Sequence, residues 1–113
     1  MNETLNVLET RRSCRNFKPD AVPEETLQAI LRAGTYAATG MGKQSPLMVV
    51  VENKELRDKI SAENARIMGK DAGFDPFYGA PTIVIVLAKK DIPTHVYDGS
   101  LVIGNLMNAA HAL

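Results

Sequence analysis

Apolar positions recur along this chain at two spacings, and the alternation between them predicts a series of helices and short strands. Residues 4–12 read as a short helix with Leu5 and Leu8 on one face. Residues 13–17 read as loop or extended chain, and Lys18-Pro19-Asp20 as a turn. A second helix is expected to start at Pro23, with Glu24 and Glu25 in the first turn, where the helix dipole favours negative charge. Leu27, Ile30, Leu31 and Gly34 then share one helical face. Residues 39–46 form a loop relaxed by Gly40 and Gly42 and closed by Pro46. Residues 47–52 are a continuous apolar run, hence a strand. Asn53 is a suitable N-cap for a further helix, whose stripe reads Leu56, Ile60 and Ile67.

The stretch 69–76 breaks that helix, and Tyr78-Gly79-Ala80-Pro81 is a second turn. Residues 82–88 are apolar at every position after the first, which predicts a strand buried on both faces at the centre of a sheet. From about residue 96 to 113 the pattern is helical but barely amphipathic. Leu101, Val102, Ile103, Leu106 and Met107 cover most of the circumference, as expected of a helix in an oligomer interface. The chain stops at Leu113 inside this run, without Gly or Asn to close it. Either another chain is expected to cover this end or a C-terminal part to follow. The element order points to an α+β or α/β fold with a small sheet.

At 113 residues the chain has room for one domain. Its 13 Lys+Arg balance 13 Asp+Glu, so bulk charge gives no reason to bind nucleic acid or an anionic membrane. Any anion site must come from local clustering. The single cysteine, Cys14, forbids an internal disulfide, and with two histidines it leaves too few ligands for a structural zinc site. No secretory leader and no membrane-length apolar run are read, so a cytoplasmic setting is expected.

Chemistry could sit in four places. Arg11, Arg12 and Arg15 place three guanidiniums within five residues, with Ser13 as a small hydroxyl donor. Such a cluster reads either as a solvated basic helix end or as a set of phosphate contacts; taken alone, the residues favour the first. A helix C-terminus repels phosphate, so side chains rather than backbone amides would have to do the binding. The loop around Gly40 and Gln44 could let backbone approach a ligand. It is no Walker loop, since no Ser or Thr follows Lys43. Tyr78-Gly79-Ala80-Pro81 reads as a tight turn. Asn105 and Asn108, on the apolar last helix, need partners, either interhelical or on a cofactor edge. His95 and His111 show no ligand spacing, Asp98 has no evident carboxylate partner, and Cys14 sits beside Arg12 and Arg15 with no histidine nearby. No metal site and no catalytic acid, base or nucleophile is assigned.

Taken in order, these segments resemble the nitroreductase family of flavin enzymes. Arg11-Arg12-Ser13-Cys14-Arg15-Asn16-Phe17 is similar to the family's Arg-Arg-Ser-x-Arg opening. Val22-Pro23-Glu24-Glu25-Thr26-Leu27 resembles the start of its next helix. The loop Ala38-Thr39-Gly40-Met41-Gly42-Lys43-Gln44-Ser45-Pro46 resembles its Pro-Ser-x-x-Asn-x-Gln-Pro segment, with Gly42 where many members carry Asn. Tyr78-Gly79-Ala80-Pro81 resembles its Gly-Ala-Pro segment, and the stretch from Tyr97-Asp98-Gly99 to Ala110 its long central helix.

The resemblance implies an α+β sandwich, a small mixed sheet with helices, of which residues 1–113 would be the N-terminal portion of a single domain. It implies an intertwined homodimer with FMN at the subunit interface. It implies ping-pong electron transfer from NAD(P)H to a nitroaromatic or quinone acceptor, the cofactor carrying the hard chemistry. By the same resemblance Arg11, Arg12, Ser13 and Arg15 would hold the FMN phosphate and ribityl chain, and Met41, Gly42 and Gln44 would lie near the flavin of the other subunit. Two other readings stay open: a flavin-binding module without turnover, and an inactive fragment that only dimerises.

Overall fold

Two asparagines start helices in the same way. The side chain of Asn2 accepts from the amide of Leu5 and opens α1 (Glu3–Thr10). That of Asn53 accepts from the amide of Leu56 and opens α3 (Lys54–Ile67). Each satisfies one of the amides a helix start leaves without a partner. The other elements are α2 (Glu24–Thr35), a 3-10 turn (Gly40–Gly42), β1 (Leu47–Val51), β2 (Ile83–Leu87) and α4 (His95–Ala112). The structure is a computed structural model and describes residues 2–113. The two strands form a two-stranded antiparallel sheet, and the architecture is α+β. No helix among the described residues is long and apolar enough to cross a membrane.

The boundaries differ a little from the sequence expectation. Helix α1 ends at Thr10, because Arg11 already has extended backbone (ψ 136°). Pro23 is the residue before α2 rather than its first residue, with ψ 138°, although its carbonyl accepts from the amide of Leu27.

The chain divides into two compact units: Met1–Arg12, Pro23–Val49 and Val86–Leu113 form one, and Ser13–Val22 and Val50–Ile85 the other. In the first, the expected face of α2 is the buried one. Leu27 and Gly34 are buried, with Ile30 and Leu31 half-buried. Gly34 is needed for close approach: a Cβ there would lie 2.8 Å from Met48 Sδ and 2.9 Å from Leu106 Cδ2. Helix α4 buries Asp98, Gly99, Val102 and Leu106. Its amide at Asn105 donates to the carbonyl of Ala33 at 2.9 Å, which settles that side chain as an interhelical bond. Leu101, Ile103 and Met107 of the same helix are 44–50% exposed. His111 meets the hydroxyl of Thr10 at 2.9 Å.

In the second unit the sequence expectation for α3 fails. Its buried residues are Arg57, Ser61 and Ala65, at i, i+4 and i+8, while Leu56 is 49% and Ile67 70% exposed. The face turned inward is the one that finds polar partners (below), and burial of polar groups is tolerated only with such partners. Ala65, fully buried, is the tight point of this face. Ala65→Leu is expected to cost about 1–3 kcal/mol by overpacking, whereas Ile67→Ala should stay within about 0.5 kcal/mol. Urea denaturation of the two variants side by side checks this; the reverse order would restore the apolar stripe.

Strand β2 also departs from expectation. Ile83 to Val86 are only half-buried, and Leu87 is exposed. A two-stranded sheet has no central position, so an all-apolar sequence does not produce burial on both faces.

Candidate functional site

The loop between α2 and β1 has an unusual backbone. Met41 (φ 55°), Gly42 (φ 65°) and Gln44 (φ 49°) are all left-handed. A residue with a Cβ pays roughly 1–2 kcal/mol there, so the surroundings must hold the turn in place. Several bonds do so. The amide of Gln44 donates to Thr39 Oγ1 at 2.9 Å, and the amide of Gly42 to the carbonyl of Thr39 at 3.1 Å. The amide of Gly40 donates to Asp98 Oδ1 at 2.9 Å, and Thr94 Oγ1 donates to Asp98 Oδ2 at 2.8 Å. Asp98 is 2% exposed, the most buried large side chain of the described residues. The left-handed backbone also accounts for glycine at position 42. Glycine and asparagine are the residues that visit this region most readily, and Gly42 stands where the family resemblance has Asn.

Met41, Gly42 and Gln44 are therefore brought together on one strained turn. Met41 projects from it, 93% exposed. Beside it Gly34, Ala37, Thr39, Gln44, Met48 and Val102 line a cavity of about 140 Å³. That is smaller than the roughly 300–1,000 Å³ usual for a whole cofactor, so this unit offers a wall or an edge, not an enclosure.

The arginine segment lies partly in each unit. Arg11 and Arg12 follow the end of α1. Arg12 Nη1 donates to the carbonyls of Glu9 and Arg11, at 3.0 and 2.9 Å, so it covers the helix end, the bland role open to it from the sequence. Ser13 and Arg15, in the other unit, are exposed. None of the ion pairs among the described residues involves Arg11, Arg12 or Arg15. Cys14 is exposed and its thiol donates to the carbonyl of Asn16. No cluster of metal-ligating side chains occurs among the described residues.

The second unit is ordered by a carboxylate. Asp75 accepts from Arg57 Nη2 (2.6 Å), Ser61 Oγ (2.8 Å) and the amides of Phe77 (3.0 Å) and Gly79 (2.8 Å). Arg57 also donates through Nε to the carbonyl of Ala80 at 2.8 Å and lies over the ring of Phe77. Burial acts to raise the Asp75 pKa. The Arg57 bond, the two amides and the Ser61 hydroxyl outweigh it and hold the group well below the usual carboxylate range. This network shapes the turn with left-handed Tyr78 (φ 52°) and Gly79 (φ 81°), whose Tyr78 carbonyl accepts from the amide of Phe17 at 3.4 Å. The segment that carries Ser13 and Arg15 is tied to the turn by that bond.

Sequence reasoning missed Asp98, Arg57 and Asp75. The only signal for Asp98 was an acid in the first turn of an otherwise apolar helix, and for the pair an Arg and an Asp whose partners lie far away along the chain.

A family model for the nitroreductase family matches residues 8–113. The fold is shared with solved nitroreductases. One from Bacteroides fragilis, with bound FMN, is 31% identical, with a TM-score of 0.86 over 98% of this chain and 65% of that one. Another with bound FMN, from Desulfitobacterium hafniense, is 33% identical, with a TM-score of 0.84 over 99% of this chain and 66% of that one. A Methanothermobacter thermautotrophicus protein provisionally named NADH dehydrogenase/NAD(P)H nitroreductase is 29% identical, over 98% of this chain and 56% of its own length. The chain spans about half the length of the curated relatives it matches. With the match running from residue 8 to residue 113, and the helices and strands superposing on those of solved members, the chain belongs to the nitroreductase family.

Proposed function

We propose that this chain forms part of an FMN-dependent oxidoreductase that passes electrons from NAD(P)H to a nitroaromatic or quinone acceptor in two ping-pong half-reactions. The observation that carries the reading is family membership together with two FMN-bound relatives above 30% identity over nearly the whole chain. The donor set fits the group. Arg11, Arg12 and Arg15 take no carboxylate partner among the described residues, and a phosphate dianion is a natural complement of guanidiniums without one, although Arg12 Nη1 already donates to the carbonyls of Glu9 and Arg11.

In this reading Arg11, Arg12, Ser13 and Arg15 bind the phosphate and ribityl end of FMN. Met41, Gly42 and Gln44 present a fixed edge to the flavin of a second subunit. Bound FMN supplies the redox chemistry; the chain binds and orients it. The 44–50% exposure of Leu101, Ile103 and Met107 supports a homodimer with these residues covered. A cytoplasmic setting fits the lone exposed Cys14.

The test is the visible absorption spectrum of the purified protein after FMN addition and desalting. Retained flavin that NAD(P)H bleaches supports the reading. Retained flavin that NAD(P)H leaves oxidised selects a binding module without turnover. No flavin retained by the folded protein rejects the site. Arg15→Ala is expected to weaken FMN about tenfold or more, a loss of about 1.4 kcal/mol, measured by fluorescence titration. A smaller loss removes Arg15 from the phosphate site.

A further inference from the structure

Asp98 is the most deeply buried large side chain among the described residues, yet it is not one of the residues proposed to meet FMN. It stands in the first turn of α4, and both of its bonds lead to the same place. One carboxylate oxygen takes the amide of Gly40, the first residue of the 3-10 turn. The other takes the hydroxyl of Thr94, the residue before α4. Thr94 in turn sits against Gly40: a Cβ on that glycine would fall onto the Thr94 side chain. The start of α4 thus grips one glycine through its amide and through its bare α-carbon.

The residues that follow Gly40 are the strained ones. Met41, Gly42 and Gln44 are left-handed, and two of them carry a Cβ. A turn so disfavoured in isolation persists only where its ends are fixed. Thr39 fixes the far end through the amide of Gln44, and Asp98 fixes the near end.

We propose that Asp98 is a positioning residue for the flavin site: its buried carboxylate clamps Gly40 and so holds Met41, Gly42 and Gln44 in the shape that meets the ring. The proposal rests on the FMN reading of this turn. Asp98 touches neither cofactor nor substrate; it acts through the Gly40 amide.

The test uses the full chain as purified and two readouts, FMN affinity by fluorescence titration and hydrogen exchange of the Gly40 and Gln44 amides without ligand. Asp98→Ala is expected to weaken FMN about tenfold and to speed exchange at both amides about tenfold or more. Asp98→Asn keeps an oxygen for the Gly40 amide, and the Thr94 hydroxyl can accept from its NH₂; it should return both readings to near the parent. Thr94→Val, which keeps the shape and removes only the hydroxyl, should move both readings about threefold. Asn105→Ala is the control, since it loosens the α2–α4 contact away from the turn.

Asp98→Ala readings that match the Asn105→Ala control would overturn the proposal. If Asp98→Ala does not fold, Thr94→Val readings equal to the parent would do the same. A parent that takes up no FMN overturns the flavin reading and the ligand named here. Gly40 exchange then shows separately whether Asp98 holds the turn.

Discussion

Replacing Asp75 by alanine is expected to lower the unfolding free energy by about 2–4 kcal/mol, somewhat below the range of about 3–5 kcal/mol for a fully buried ion pair because the Asp75 side chain is 30% exposed. The cost is large because of what stays behind. Arg57, 8% exposed, keeps its charge and loses the shorter of its two ion pairs, retaining only the 3.3 Å contact of Nη1 with the half-exposed Asp58, while the Ser61 hydroxyl and the amides of Phe77 and Gly79 lose their acceptor. Against a typical total of about 5–15 kcal/mol, such a loss threatens the unit that contains α3. Urea denaturation followed by circular dichroism reads it directly; a loss below about 1 kcal/mol would mean that the network contributes little. The acid dependence has a definite sign. The folded-state pKa of Asp75 lies below its unfolded value, so its contribution is complete above about pH 4 and is lost as pH falls through the folded-state pKa. Stability of the parent should therefore fall steeply below about pH 4, and Asp75→Ala should show a flatter profile there.

Gly40→Ala is the second substitution with a large expected effect, about 2–3 kcal/mol. Its new Cβ would lie 2.9 Å from both Cβ and Cγ2 of Thr94. Thr94 is β-branched and its hydroxyl is committed to Asp98, so it has little freedom to retreat. The chain at residue 40 must move instead and give up the bond to Asp98. Thermal denaturation should show a lower Tm, and retained FMN should fall with it. An unchanged Tm would show that the turn and Thr94 part without cost. Gly42→Ala makes a useful contrast. No atom lies within 4 Å of that Cβ, so its cost is confined to the left-handed backbone.

These two sites also mark the limit of what the sequence discloses. The face of α2 was readable because Leu27, Ile30, Leu31 and Gly34 follow helical spacing, and the spacing is local information. The Asn53 cap was readable for the same reason: its partner, the Leu56 amide, is three residues away. The inward face of α3 was not readable. Arg57 becomes a buried residue only because Asp75, eighteen residues on, meets it, and hydropathy alone ranks Leu56 and Ile67 above it. Asp98 is hidden in the same way, its partner Gly40 being 58 positions distant. The run at β2 suggested a central strand because apolar content reports what a strand tolerates, not how many strands pair with it. The arginine segment and the Gln44 loop were visible as motifs. The left-handed geometry that shapes the loop was visible only as two glycines, since neither Met41 nor Gln44 announces a positive φ.

The Asp75 node has a further consequence, for how the second unit loses order. Loops ordinarily loosen by degrees, one fraying bond at a time. Here two loop amides, a helix hydroxyl and a helix guanidinium share one part-buried carboxylate, so the loss of any one loosens the acceptor that holds the others. Residues 75–79 therefore belong to the cooperative unit of α3 and open with it in a single step, although they look like surface chain.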